Sequence, residues 1–113
     1  MELKKIFENN QKWIDRKLAT DAHYFEKLCE GQSPEVLFVG CSDSRVTAEE
    51  LMGSQPGEVF VHRNVSNMII SIDLNMNAVV DYAMNFLKVK HIVICGHYFC
   101  GGVLSTIEGI TDI

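Results

Sequence analysis

The chain has little of several things. It has two prolines in 113 residues and no repeat, low-complexity tract or linker, which leaves little room for a long disordered tail. No apolar run approaches the ~20 residues that span a bilayer, so no membrane partner is expected. The opening Met1-Glu2-Leu3-Lys4-Lys5 is charged and amphipathic, without the apolar centre of a signal peptide. Ten Lys and Arg stand against fifteen Asp and Glu, a net charge of −5 with no basic block. Such a chain carries no electrostatic footprint for nucleic acid or an anionic membrane surface. A soluble, cytoplasmic protein is the expectation. There is also no Cys-x-x-Cys, which weakens a redox reading built on Cys95 and Cys100.

What is present is a globular balance of 47% hydrophobic and 22% charged residues. One domain over residues 1–113 is expected, with a modest core, because a chain this short buries only about two-thirds of its unfolded surface. Within it, residues 1–30 read as a helical arm and 35–113 as an α/β core. Leu3, Ile6, Phe7, Trp13, Ile14, Leu18, Phe25 and Leu28 recur at spacings of three and four, the period of an amphipathic helix. Thr20-Asp21 offers an N-cap, so two helices with a break near 20 are predicted. The arm packs either on its own domain or on a partner.

Val36-Leu37-Phe38-Val39 is apolar without alternation, as a strand covered on both faces of a parallel sheet should be. Thr47 to Glu50 fits a capping box that opens a short helix closed by Gly53. Glu58 to His62 reads as a second strand and Asn75 to Leu87 as a helix with Val79, Ala83, Phe86 and Leu87 inward. His91 to Cys95 reads as a third strand, and Val103 to Glu108 as a short helix. Helices alternating with buried strands imply an α/β fold with a parallel sheet, flanking helices and the N-terminal arm.

Four cysteines are present, Cys29, Cys41, Cys95 and Cys100. In a non-secreted chain, metal or catalytic use is favoured over a disulfide framework. Ligands in open α/β sheets collect beyond the carboxyl ends of strands. The first strand runs into Gly40-Cys41-Ser42-Asp43-Ser44-Arg45, and the third into Gly96-His97-Tyr98-Phe99-Cys100-Gly101-Gly102. Alone, Cys41 reads as a small core residue and His97 as a turn residue. Together, Cys41, His97 and Cys100 form a set of two thiolates and one imidazole, a familiar zinc set. Cys95 reads as a buried thiol, and Cys29 has no evident role. Asp43 and Arg45 are spaced to form a bidentate ion pair. That pair is either an ordinary loop salt bridge or an oriented carboxylate that ligates the metal or accepts a hydrogen bond from its water.

These segments resemble the β-class carbonic anhydrases. The resemblance rests on Cys41-Ser42-Asp43-Ser44-Arg45 with His97-x-x-Cys100-Gly101-Gly102, and runs through Asp21 to Leu28, Gln55-Pro56-Gly57-Glu58, Val61-His62-Arg63-Asn64 and Val89-Lys90-His91. It implies Zn2+ held by Cys41, His97 and Cys100, with Asp43 and Arg45 as the catalytic dyad and Asp43 as fourth ligand in a closed state. It implies a substrate pocket at Gln32, Phe60, Val65, Tyr82 and Gly102, set at the interface of a homodimer or higher homo-oligomer. Read without the family, Phe60 and Val65 are core residues and Tyr82 is either core or pocket. The implied reaction is reversible hydration of CO2 to bicarbonate and a proton by zinc-bound hydroxide. Two thiolates leave the zinc formally neutral, so Asp43 is expected to help by accepting the hydroxide proton.

Two positions depart from the family pattern. Phe99 stands where a small or polar residue is usual, and Phe38 where a subgroup with an inhibitory bicarbonate site carries tryptophan. Family domains are also longer, so an incomplete β-carbonic anhydrase fold, truncated at Ile113, is expected. Its rival is a non-catalytic zinc-binding family member. A relative acting on another small heterocumulene, such as carbon disulfide, would use the same residues.

Overall fold

The computed structural model describes residues 1–109. The expected end of the core at Ile113 lies outside them. The chain divides into two units, Met1–Gly31 and Gln32–Ile113.

In the first unit, α1 (Leu3–Thr20) and α2 (Tyr24–Leu28) are separated near residue 20, as the apolar spacing predicts. Asp21 has a different task from the expected cap. It closes α1, its Oδ1 accepts from the His23 N–H at 2.9 Å, and its Oδ2 takes the Lys27 ammonium at 2.7 Å. A short carboxylate that bonds the backbone two residues on forms an Asx turn, which turns the chain between helices without itself entering α2. Trp13, Tyr24 and Phe25 pack edge to face, the arrangement their ring quadrupoles favour.

The second unit is a three-stranded parallel sheet in the order β2-β1-β3, with β1 at Val36–Cys41, β2 at Val59–Asn64 and β3 at His91–Cys95. Between β1 and β2 lies α3 (Ala48–Met52). Between β2 and β3 come a one-turn 3-10 segment (Val65–Asn67), α4 (Leu74–Asp81) and a π-turn (Tyr82–Phe86), and α5 (Gly101–Glu108) follows β3. The chain leaves β1 to one side and later returns to its other side. The carboxyl end of β1 is therefore the switch point where such sheets open a crevice.

β1 is central, and Leu37 through Cys41 are buried. Leu37 and Val39 meet Met76 and Ala83 in the core, with Phe60, Val79, Val80 and Val89 packed around them. The capping position of α4 is taken by Asp73, whose carboxylate accepts from the Asn75 and Met76 N–H groups. This is the N-cap bond that satisfies the orphan donors of a first turn.

Four further expectations are corrected. Thr47 stands at the N-cap of α3 but its hydroxyl makes no capping bond, although Gly53 does close the helix in the left-handed conformation. β2 reaches Asn64 instead of ending at His62. Phe86 is 71% exposed because the widened turn, with Leu87 N–H bonded to Tyr82 O at 2.9 Å, changes the angular period. Its ring stacks on Tyr82. Finally, β3 is an edge strand whose residues His91 to Ile94 are exposed, and Cys95 is half-buried for the same reason. No described helix is long and apolar enough to cross a membrane.

The buried Phe38 ring occupies the space a side chain at Gly40 would need, two residues on along the same face of β1. Overpacking of a tight core costs about 1–3 kcal/mol. Gly40→Ala should lower stability by about that amount in a urea titration, and an unchanged midpoint would show that the ring has room to move.

Candidate metal centre

Parallel pairing places the ends of β1 and β3 together, with Gly40 opposite Cys95. Cys41 is the last residue of β1, and β3 feeds the loop that carries His97 and Cys100. The ligand atoms of Cys41, His97 and Cys100 all lie within 4.8 Å of one another. The two sulfurs are 3.9 Å apart and buried. Two sulfurs each about 2.3 Å from a tetrahedral ion stand about 3.8 Å apart, so the spacing suits zinc. The imidazole has one nitrogen engaged, Nδ1 with Tyr98 O at 2.9 Å. Its Nε2 is buried and has no hydrogen-bond partner. A buried ring nitrogen without a partner is costly unless a ligand takes it, and the carbonyl at Nδ1 sets the tautomer that leaves Nε2 as a donor to metal. The three residues fit a metal ion.

The loop after β1 is held by two guanidinium groups. Arg45 forms a fork on Asp43, Nε to Oδ1 at 3.0 Å and Nη2 to Oδ2 at 2.7 Å, and its own N–H reaches Oδ1 at 2.9 Å. Nη2 also reaches Phe99 O at 3.3 Å, tying this loop to the His97–Cys100 loop. Arg63, from β2, donates to Cys41 O at 2.9 Å and to Asp43 O at 2.6 Å. The Ser42 N–H continues the sheet ladder to Asn64 O at 2.8 Å. Asp43 Oδ2 lies 3.9 Å from His97 Nε2, at the margin of the ligand group.

Charge follows from these contacts. The Arg45 side chain, and then its backbone N–H, hold the Asp43 carboxyl well below the usual carboxylate range. Burial pushes the Cys41 thiol up, but N–H donors from Asp43 and Ser66 and the neighbouring Cys100 outweigh it, and the net direction is down. The Cys100 thiol is lowered by the Val103 N–H and by Ser66. The contact between the sulfurs itself lowers Cys41 and raises Cys100, but the net direction is down for each, toward the thiolate form that binds metal.

The carbonic anhydrase family profile matches residues 36–112. The chain belongs to the β-class carbonic anhydrase family. A curated carbonic anhydrase of Emericella nidulans is 56% identical over 103 residues, covering 91% of this chain and 45% of that protein. Among solved structures, tetrameric β-carbonic anhydrases of Sordaria macrospora superpose with a TM-score of 0.90 at 44% identity, covering 97% of this chain and 54% of theirs. A Coccomyxa β-carbonic anhydrase in complex with acetazolamide gives 0.88 at 44% identity, covering 94% and 48%. The chain spans about half the length of the relatives it matches.

The five expected pocket residues separate into two groups. Val65 and Gly102 stand next to Ser66 and Cys100, at the sulfurs. Gln32 is exposed ahead of β1, at the opposite end of that strand from Cys41. Phe60 pairs with Leu37, also toward that end, and its ring lies 5.6 Å from that of Tyr82. Phe99 is 80% exposed and adopts a left-handed φ of 55°. Phe38 is buried in the sheet core. The sequence points to ligands at the ends of β1 and β3, and the end of β2 enters only through the resemblance, at Val61-His62-Arg63-Asn64 and Val65, without a role for Arg63 or Ser66. That end supplies Arg63 and Ser66, and the rule that ligands gather at carboxyl ends applies to it equally.

The depressed Asp43 value carries a pH dependence. Its stabilising contribution is present above the unfolded carboxyl value of about 3.9 and is lost as pH falls through the lower folded value. Asp43→Asn should therefore destabilise the chain at neutral pH and progressively less below about pH 4, with added salt shrinking the difference. Acid titrations of both proteins by circular dichroism check this. A gap that stays constant through the acid range would contradict it.

Proposed function

We propose that this chain holds Zn2+ through Cys41, His97 Nε2 and Cys100 and serves the reversible hydration of CO2 to bicarbonate and a proton. The observation that carries the reading is the partnerless, buried His97 Nε2 facing two close sulfurs, beside a carboxylate held by a guanidinium fork. The family, named for this activity, supports it.

When bound, zinc supplies Lewis acidity that makes water acidic near neutral pH. The chain's residues do the rest. Asp43 stays ionised across the neutral range, so it is ready to accept a hydrogen bond from a water beside His97 and to fix that water's orientation. Arg45 fixes both carboxylate oxygens and leaves Asp43 in one orientation, which favours its role as acceptor over that of fourth ligand. Orienting reactants in this way removes part of the entropic barrier. Arg63 holds the backbone at residues 41 and 43, and with it the distance between thiolate and carboxylate. Val65 offers an apolar wall at the sulfurs, which suits a nonpolar gas.

Gln32, Phe60 and Tyr82 serve a pocket only if they come from a second copy, since in their own chain they lie toward the other end of the sheet from Cys41. A homodimer or higher homo-oligomer is therefore part of the proposal, and the tetrameric Sordaria enzymes agree with it. A thiolate site also suits a reducing compartment, consistent with the cytoplasm. A zinc-holding chain without turnover is the second reading, favoured by the distance within one chain between the Cys41–His97–Cys100 group and Gln32 and Phe60.

Zinc analysis paired with stopped-flow CO2 hydration tests both. Asp43→Ala should keep its zinc and lose turnover by about a hundredfold, the scale of loss when a reacting group is no longer held in place. Cys41→Ser should lose the metal. Zinc without activity in the unmodified chain would establish the second reading, and undiminished hydration by Asp43→Ala would remove Asp43 from the mechanism.

A further inference from the structure

Ser66 touches both sulfurs. It sits in the turn after β2, and its backbone N–H donates to Cys41 Sγ at 3.4 Å. Its hydroxyl lies 3.6 Å from Cys100 Sγ. Its backbone is in the left-handed region, φ 67° and ψ 23°, and Asn67 beside it has φ 45°. Such conformations are uncommon for residues with a Cβ and persist where surrounding structure enforces them. Here the enforcement is visible. Asn64 grips both sides of the turn, its Oδ1 accepting from the Met68 N–H at 2.6 Å and its Nδ2 donating to Met68 O at 2.7 Å. On the far side, a Cβ at Gly102 would collide with Ser66 Oγ and Val65 Cγ1, so the absent side chain is what lets α5 approach the turn.

We propose that Ser66 is a positioning residue for the metal centre, one amino acid that places a neutral donor on each of the two thiolates. The inference rests on the zinc reading above. A thiolate can only accept, so the Ser66 hydroxyl is the donor toward Cys100 in the metal-binding state. The two bonds hold the sulfurs at a spacing that an ion can bridge. They also withdraw electron density from ligands that would otherwise leave the ion formally neutral, so more of the ion's positive charge remains to act on water. A glycine would relax the left-handed backbone but lose the hydroxyl, whereas serine keeps the strain and the second donor. Partners one shell beyond the ligands commonly change metal affinity by 10–100-fold when removed.

Two variants of the full chain separate the hydroxyl from the backbone strain. Ser66→Ala removes the donor to Cys100 at the same φ, and Ser66→Gly removes it while relieving the conformation. The measurements are Zn2+ affinity by competition with a chromogenic chelator, and the sulfur-to-cobalt charge-transfer band of the Co2+-loaded chain. Both variants should bind zinc about tenfold more weakly, with the cobalt band displaced to lower energy as the sulfurs become more electron-rich. Wild-type affinity and an unmoved band in both variants would overturn the proposal. So would a loss in Ser66→Ala that Ser66→Gly restores, since the effect would then belong to the backbone. Failure of the unmodified chain to bind zinc would instead overturn the metal reading, and this inference with it.

Discussion

The centre depends on the parallel register of β1 and β3. Cys41 and Cys100 are 59 positions apart in the chain, and they meet because Gly40 pairs with Cys95 and both strands end at one edge. Side chains alternate along a strand, so a slip of one residue would send Cys41 to the opposite face and dissolve the group. The buried run from Leu37 to Cys41 protects that register, since displacing it would take Leu37 and Val39 away from Met76 and Ala83. Core packing and metal chemistry are thus one problem in this sheet. The residues that anchor the strand also aim the thiol.

Backbone strain gathers around the same edge. Of the four described non-glycine residues with positive φ, three, Ser66, Asn67 and Phe99, flank the sulfurs or the loop that carries His97, and the fourth, Lys88, lies ahead of β3. Residues held in sparsely populated conformations tend to cluster where a site needs atoms in unusual places. The compensation is polar and local. Arg63 bonds two carbonyls of one loop, and Arg45 bonds a carboxylate and then a carbonyl of the other loop. Planar guanidinium groups suit such work because a single side chain presents several donors in fixed directions. A lysine at either position would supply charge without the fork.

The residues the family resemblance points to are spatially divided within one chain. Cys41, His97, Cys100, Asp43, Arg45, Val65 and Gly102 gather at the carboxyl end of the sheet, while Phe60 and Tyr82 form an aromatic contact toward its other end. The proposed homo-oligomer would join the two groups, because a two-fold axis can bring opposite ends of two copies together. The exposed apolar residues of β3, Ile92, Val93 and Ile94, show that the described sheet does not cover its own edge.

The sequence alone determined the alternation of helices and strands, the grouping of Cys41, His97 and Cys100 and the Asp43–Arg45 pair. These are local signals: apolar runs of strand length, glycines beside the ligands, and two residues whose spacing allows a fork. It also misread what depends on distant neighbours. The burial of Cys95 failed because β3 lies at an edge, which no property of His91 to Cys95 announces. Phe86 turned outward because a π-turn reset the helical face. Thr47 kept the position of a cap without its hydrogen bond. Only the tertiary structure gave Arg63 and Ser66 their contacts at the site. Their sequence neighbours look like the end of an ordinary strand, and their importance arises from parallel pairing that sets the end of β2 against Cys41. Which atoms face the sulfurs is decided by strand order and register, and these are properties of the whole sheet.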